Sequence, residues 1–354
     1  MAFQKRPEKP KEPKLVIEAP EGSEDRFKAL LSLGKKLNTK YETTNALVRL
    51  GDKVGTLLPS ISTGLPTFDY GVIGTGGIPK GRMVEIFGPE SAGKTSFTLH
   101  VVAECQRAGG IAAFIDAEHA LDPSWASTLG VDVDKLVISQ PDSGEQALDT
   151  TDELVESQAV DLIVIDSVSA LVPEAELAGE IGDAHVGLQA RLLSQAMRIL
   201  TGKCARNKVT VIWVNQIREK IGVMYGNPET TSGGRALKFY SSVRIDVRRK
   251  EEIKQGTSLV GHKVRLKAVK NKCGVPFKET LVDLLYAAGF DKMSDTIAYA
   301  ADKGVFETKG SWYWLGEERL ANGLDDLKET LKLRPELLEK VTRKMNEKQK
   351  EESI

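Results

Sequence analysis

The stretch Gly88-Pro-Glu-Ser-Ala-Gly-Lys-Thr95 limits what this chain can fold into more than any other feature. It fits the pattern G-x-x-x-x-G-K-[ST], follows the apolar run Met83–Phe87 and precedes a helical pattern over Ser96–Ala108. Such a loop needs a strand end facing a helix N-terminus, where glycines let backbone N–H groups curl around phosphate oxygens. Gly88, Pro89, Glu90, Ser91, Ala92, Gly93 and the following Ser96 would shape that cradle. Lys94 would supply a cation to the β- and γ-phosphates and the Thr95 hydroxyl a ligand for Mg²⁺.

The surrounding texture agrees. Ile111–Ile115, Leu162–Ile165 and Val209–Val214 are continuous apolar runs, as expected of strands buried on both faces of a parallel sheet. Ser96–Ala108 and Gly187–Thr201 would be crossover helices, so residues 54–290 read as an α/β core, a mostly parallel twisted sheet flanked by helices. Val243–Arg248 and Lys263–Val269 add strands. Residues 291–354 read as a small C-terminal domain, with short helices around Ser311-Trp-Tyr-Trp and a charged helix from about Pro335. At the other end, residues 1–22 carry Pro7, Pro10, Pro13 and Pro20 among mixed charges and predict a disordered arm. From Ser23, a plausible N-cap, to about Tyr41, Phe27, Leu30, Leu31, Leu33 and Leu37 recur at near-helical spacing. That helix could pack on its own domain or dock on another subunit.

Composition excludes several classes. No run of about 18 apolar residues exists, so no membrane span is expected, and the polar start predicts no secretory signal. Cys105, Cys204 and Cys273 are too scattered for a zinc site or disulfide framework and suit a reducing cytoplasm. With a net charge of −1, any nucleic-acid site must be local.

Ligands of open α/β sheets bind beyond the carboxyl ends of the strands. Asp166 ends Leu162-Ile-Val-Ile-Asp and would position the metal. Glu118 follows the Ile111 strand and has the chemistry to polarise an attacking water, although N-capping or a salt bridge would also explain it. Gln216, after Val209-Thr-Val-Ile-Trp-Val-Asn, could hydrogen-bond a γ-phosphate, on which Thr95, Glu118, Asp166 and Gln216 could converge.

Several stretches together resemble the bacterial RecA family: Val84–Thr95, Phe114-Ile-Asp-Ala-Glu-His-Ala-Leu-Asp-Pro123, Gly179-Glu-Ile-Gly-Asp183, Asn215-Gln-Ile-Arg218, Ile221-Gly-Val-Met-Tyr-Gly-Asn-Pro-Glu-Thr-Thr231 and Val269-Lys-Asn-Lys272. The resemblance spans about Phe27 to beyond Tyr286. It implies an ATP-driven, DNA-dependent ATPase forming helical filaments on single-stranded DNA and exchanging strands with homologous duplex. Stimulated self-cleavage of an SOS-type repressor is implied too. It makes Glu118 the water-activating residue, Gln216 the γ-phosphate sensor, and Lys270 and Lys272 a pair reaching the neighbour's ATP. It also implies that Asp122, Trp125 and Tyr286 line the nucleotide, and that residues 23–53, a helix and a strand, pack on the adjacent subunit.

Two loops, 175–186 and 217–234, would line the DNA groove. Basic groups there can hold phosphates and apolar tips can wedge between bases. His185, Val186, Arg191, Arg218, Lys220, Ile221, Gly233, Gly234 and Arg235 are the expected contacts. Arg248, Arg249, Arg265 and Lys267 match a weaker site for incoming duplex, or form a solvated strand face. Departures from the family are Trp125 in place of a tyrosine, Val186 in place of a methionine, and a tail, residues 325–354, balanced at eight acidic and eight basic residues. A ring-forming motor of the same fold would lack these two loops, and a DNA-coating protein using ATP only as a switch would need no Glu118.

Overall fold

In a computed structural model of the chain, the described residues are 22–41, 46–47, 58–180, 183, 185, 187–219 and 228–352. Most of the expected proline-rich arm, the strand expected before residue 53, and Val186, Lys220 and Ile221 lie outside them. The chain divides into two compact units, residues 1–57 and 58–354.

Within the first unit α1 spans Ser23–Lys40 with Gly22 at its N-cap, so Ser23, the expected cap, is instead the first residue of the helix. Asn38 Oδ1 accepts a hydrogen bond from Ala46 N at 2.8 Å. Phe27 and Leu30 are about half exposed, at 50% and 51%.

The second unit opens with β1 (Ser60–Ile61), a π-helical turn (Thr67–Ile73), β2 (Ile78–Pro79), β3 (Met83–Gly88), α2 (Lys94–Arg107) and β4 (Ala112–Asp116). It continues through α3 (Pro123–Thr128), β5 (Val137–Ser139), α4 (Gly144–Ser157), β6 (Leu162–Asp166), α5 (Glu174–Leu177) and α6 (Leu188–Asn207). Then come β7 (Thr210–Glu219), β8 (Glu229–Thr231), α7 (Ala236–Tyr240), β9 (Val243–Gln255), β10 (Ser258–Asn271), β11 (Glu279–Leu285) and β12 (Gly289–Phe290). In the main sheet the order is β12-β11-β10-β9-β3-β7-β6-β4-β5, with β8 against β7. Pairing is parallel from β9 through β5 and antiparallel from β9 to β12.

The period of two along a strand explains the continuous apolar runs. Leu162 and Val164 of β6, with Ile212 and Val214 of β7, join a core with Phe97, Val102 and Phe114 on one face. Ile163, Ile165, Val211 and Trp213 point to the other face, against Leu193, Met197 and Leu200 of α6. Polar side chains are thereby forced to the strand ends, where the candidate site lies.

A three-stranded antiparallel sheet follows β12 and α8 (Lys292–Asp302): β13 (Glu307–Lys309), β14 (Trp312–Leu315) and β15 (Glu318–Asn322). The Ser311-Trp-Tyr-Trp segment thus supplies its middle strand. Helices α9 (Leu324–Leu333) and α10 (Pro335–Glu352) complete a core of Ile297, Phe306, Leu315, Leu331, Val341 and neighbours. Tyr70 of the π-helical turn stacks on Tyr299 at 5.7 Å, and Thr67 N donates to Asp295 Oδ2 at 2.9 Å, tying this region to the main sheet.

Candidate nucleotide site and nucleic-acid surface

The loop after β3 turns into α2 at Gly93, whose φ of +92° favours glycine. A Cβ there would also stand 2.8 Å from Leu284 Cδ2, so any larger residue would have to move the end of that side chain on β11. Lys94 is 8% exposed and donates to the carbonyl of Pro89 at 2.6 Å; burial holds its pKa below the usual lysine range. Thr95 Oγ1 donates to Asp166 Oδ2 at 2.6 Å. Burial pushes Asp166 up to about 6, Thr95 works against that rise, and Glu118 adds to it. Its neighbour across the β4–β6 ladder, Asp116, accepts from Ala120 N, Leu121 N and Gln140 Nε2, fixing the turn that carries Glu118.

Three strands converge on Glu118. Its Oε1 accepts from Ser167 Oγ, just past β6, and from Gln216 Nε2 of β7 at 2.9 Å. Gln216 does not end its strand: it faces Gly88, where β3 stops, while β7 runs on to Glu219. Behind it Asn215 donates to buried Glu85 at 3.1 Å and to the Ser232 carbonyl at 3.1 Å, tying the sheet to the returning end of the 217–234 loop. Glu85 is paired with Arg244 Nε.

Beside the loop lies a pocket of about 360 Å³ lined by Ser91, Gly93, Lys94, Thr95, Ser96, Trp125, His262, Leu284, Leu285 and Tyr286. Trp125 Nε1 donates to Ser96 Oγ at 3.3 Å. Gly88, Pro89, Glu90 and Ala92 belong to the loop but not to the lining; Asp122 caps α3, accepting from Ser124 N at 2.8 Å. Lys270 and Lys272 do not line the pocket either. Lys270 donates to the carbonyls of Lys238 and Phe239 at the end of α7, and Lys272 is exposed. Sequence reasoning missed Ser167, Asn215 and His262. Ser167 directly follows a strand-end carboxylate and was findable on that ground.

The basic candidates fall into two groups. Arg191, Arg218 and Arg235 are exposed and form no ion pair among the described residues. Arg191 and Arg235, with Phe239, border one depression between α6 and α7. Gly233 (φ +78°) brings the returning loop so close to α6 that a Cβ would sit 2.3 Å from Leu193 Cδ1; Gly234 lies against Ala190. Part-buried His185 precedes α6 with its Nε2 unpartnered. By contrast, Arg248 grips Glu229 and Asp246, Arg265 bonds Asp246 at 2.8 Å, Lys267 bonds Glu279 at 2.9 Å and Arg249 lies 3.5 Å from Glu252.

Comparison with known proteins matches the RecA N-terminal domain over residues 28–291 and the RecA C-terminal domain over residues 294–350. A curated relative, "Protein RecA" of Rubrobacter xylanophilus, is 51% identical over 323 residues, 91% of this chain and 93% of that protein. "Protein RecA" of Staphylococcus aureus (strain JH9) is 51% identical over 324 residues, 92% of this chain and 93% of its own length.

Proposed function

The chain belongs to the RecA family, and from that premise we propose how its own residues carry out a recombinase's work. It is a DNA-dependent ATPase of homologous recombination, a nucleotide-binding protein that assembles with itself and binds single-stranded DNA. No helix of the described residues is long and apolar enough to cross a membrane. In our reading it works in the cytoplasm.

The nucleotide is ATP with Mg²⁺. Residues 88–96 take the phosphates, and Trp125 and Tyr286 flank the base. Thr95 and Asp166 fit Mg²⁺ chemically: a hydroxyl and a carboxylate 2.6 Å apart, the latter buried without a cationic bonding partner. Among the described residues no group of three His, Cys, Asp or Glu could hold a metal alone, which suits a cation that keeps waters and phosphate oxygens as ligands. Bound there, Mg²⁺ would neutralise charge developing on the phosphates.

The observation that carries the mechanism is the Gln216–Glu118 hydrogen bond of 2.9 Å. A γ-phosphate competes for the same amide donor. When Gln216 turns to it, Glu118 Oε1 keeps its bond from Ser167 and regains one acceptor position with which to orient the attacking water. The movement also pulls on the strand that leads into residues 217–234, so nucleotide state is felt at the DNA surface. Lys270 and Lys272 reach the neighbouring subunit's ATP, and residues 23–53 dock on that subunit through Phe27 and Leu30. Residues 54–290 form the ATPase core and residues 291–354 a small C-terminal domain. His185, Val186, Arg191, Arg218, Lys220, Ile221, Gly233, Gly234 and Arg235 contact the first strand, and Arg248, Arg249, Arg265 and Lys267 the incoming duplex. Stimulated self-cleavage of an SOS-type repressor belongs to the same reading. Steady-state hydrolysis with and without single-stranded DNA tests the coupling: turnover should rise at least tenfold with DNA, and equal turnover without DNA would overturn it.

A further inference from the structure

Glu118 stands on the turn after β4, exposed to solvent, and a long exposed side chain samples several rotamers unless bonds restrain it. Among the described residues its carboxylate has two side-chain partners, Ser167 Oγ and Gln216 Nε2, both on Oε1. When Gln216 turns to a γ-phosphate, one of the two is gone. Ser167 is then the side chain still bonded to the carboxylate at the moment it has to aim a water.

Ser167 is itself held firmly. It is 1% exposed and directly follows β6. A hydroxyl carries one proton, and Ser167 gives its own to Glu118. In the 2.6 Å contact between Ser167 Oγ and Ser169 Oγ the donor is therefore Ser169. The second serine occupies a lone pair of the first and so directs its proton at the carboxylate, whose charge strengthens both bonds. The turn that carries the two hydroxyls is fixed from outside. Gln189 Nε2, in the first turn of α6, donates to the carbonyls of Val168 and Leu171 at 2.9 and 3.0 Å, and both of those residues are buried. Ala117 N and Glu118 N donate to the Asp166 carbonyl at 2.9 and 3.3 Å, which sets the turns after β4 and β6 side by side. None of these bonds uses Gln216 or the phosphate loop, so they persist when Gln216 turns.

Resting on the reading of Glu118 as the residue that orients the attacking water, we infer that Ser167, backed by Ser169, is a positioning residue for hydrolysis: it pins Oε1 so that the acceptor position vacated by Gln216 faces the water. The bond acts on a group engaged in the chemical step and holds neither nucleotide nor DNA. Its loss therefore shows in kcat and not in KM.

The test is steady-state hydrolysis of ATP by the full chain with saturating single-stranded DNA. Ser167→Ala should lower kcat about ten- to hundredfold, while KM for ATP and affinity for single-stranded DNA stay within about twofold of wild type. Ser167→Thr, which restores the hydroxyl, should recover most of the turnover. Ser169→Ala, at a half-buried position, leaves the bond to Glu118 but not its direction and should cost about two- to fivefold. That variant keeps the inference testable should either Ser167 variant fail to fold. Added to Glu118→Gln, Ser167→Ala should change the residual single-turnover rate by less than about twofold, because the serine acts only through that carboxylate. A Ser167→Ala kcat within about twofold of wild type overturns the inference. So does a KM that rises in step with the fall in kcat, or an undiminished effect of Ser167→Ala in the Glu118→Gln background. Wild-type turnover in Glu118→Gln alone would instead overturn the reading of Glu118.

Discussion

The nucleotide edge of the sheet and the ribbon formed by β9 and β10 both carry charged groups, but they satisfy them differently. At the edge, Lys94 bonds a carbonyl, Asp166 a hydroxyl, and Glu118 a hydroxyl and an amide; none has an opposite charge as its bonding partner among the described residues. On the ribbon, Arg248, Arg265 and Lys267 are each held by a carboxylate. Charges kept near one another without a direct ion-pair bond are set for a ligand that brings its own charges. Paired ones must give up a partner before they can hold a phosphate. The contrast extends to Arg191, Arg218 and Arg235, exposed and without an ion pair among the described residues, which fits them for first-strand contact ahead of the ribbon.

The largest effect should come from Glu118→Gln. It should lower DNA-stimulated turnover by about 10²- to 10⁴-fold while ATP affinity stays within a few-fold. A steady-state assay with turnover within twofold of wild type would take Glu118 out of the reaction.

Next, the same contrast in stability. Glu85 is fully buried against Arg244, so Glu85→Ala leaves an uncompensated buried cation, at a cost of about 3–5 kcal/mol. Lys267→Met breaks a half-exposed pair with Glu279 and should cost about 1 kcal/mol or less. Urea unfolding of both variants checks the ranking, and equal losses would break the comparison.

A smaller difference should separate the arginines. Arg218→Ala should reduce the salt dependence of single-strand binding by about one counter-ion. Arg248→Ala, removing a group already engaged by Glu229 and Asp246, should change it much less. Binding titrations over a range of salt would show whether the order is reversed.

The smallest effect concerns pH. Burial raises Asp69 to about 7 and Asp295 and Asp166 to about 6, against an ordinary value of 3.8. Each keeps its proton in the folded state to a higher pH than in the unfolded chain. Their contribution is therefore complete below about pH 4 and declines as pH rises towards 7. Asp69→Asn, measured without nucleotide, should reduce the fall in Tm between pH 5.5 and 7.5; an unchanged slope would remove Asp69 from that account.

Much of this was legible in sequence because the constraint is local. The phosphate loop, the apolar runs of β4, β6 and β7 and the carboxylate closing β6 are set by contiguous residues whose chemistry admits few folds. The antiparallel direction of β10 and β11 and the strand at Trp312–Leu315 were less legible, because pairing direction depends on distant partners. At the site, the strand ends already suggest that Thr95, Glu118, Asp166 and Gln216 converge, but the register that sets Gln216 opposite Gly88 and against Glu118 was not visible. His262 could not be found at all: a histidine in an amphipathic strand has no signal until β11 and Tyr286 are placed beside it.

The central claim is that Gln216 links the nucleotide to the DNA surface, and single-strand binding with and without ATP tests it most directly. For Gln216→Ala we predict ATP affinity close to wild type and single-strand affinity that no longer responds to ATP. If ATP tightened DNA binding in the variant as much as in wild type, the link through Gln216 would be contradicted.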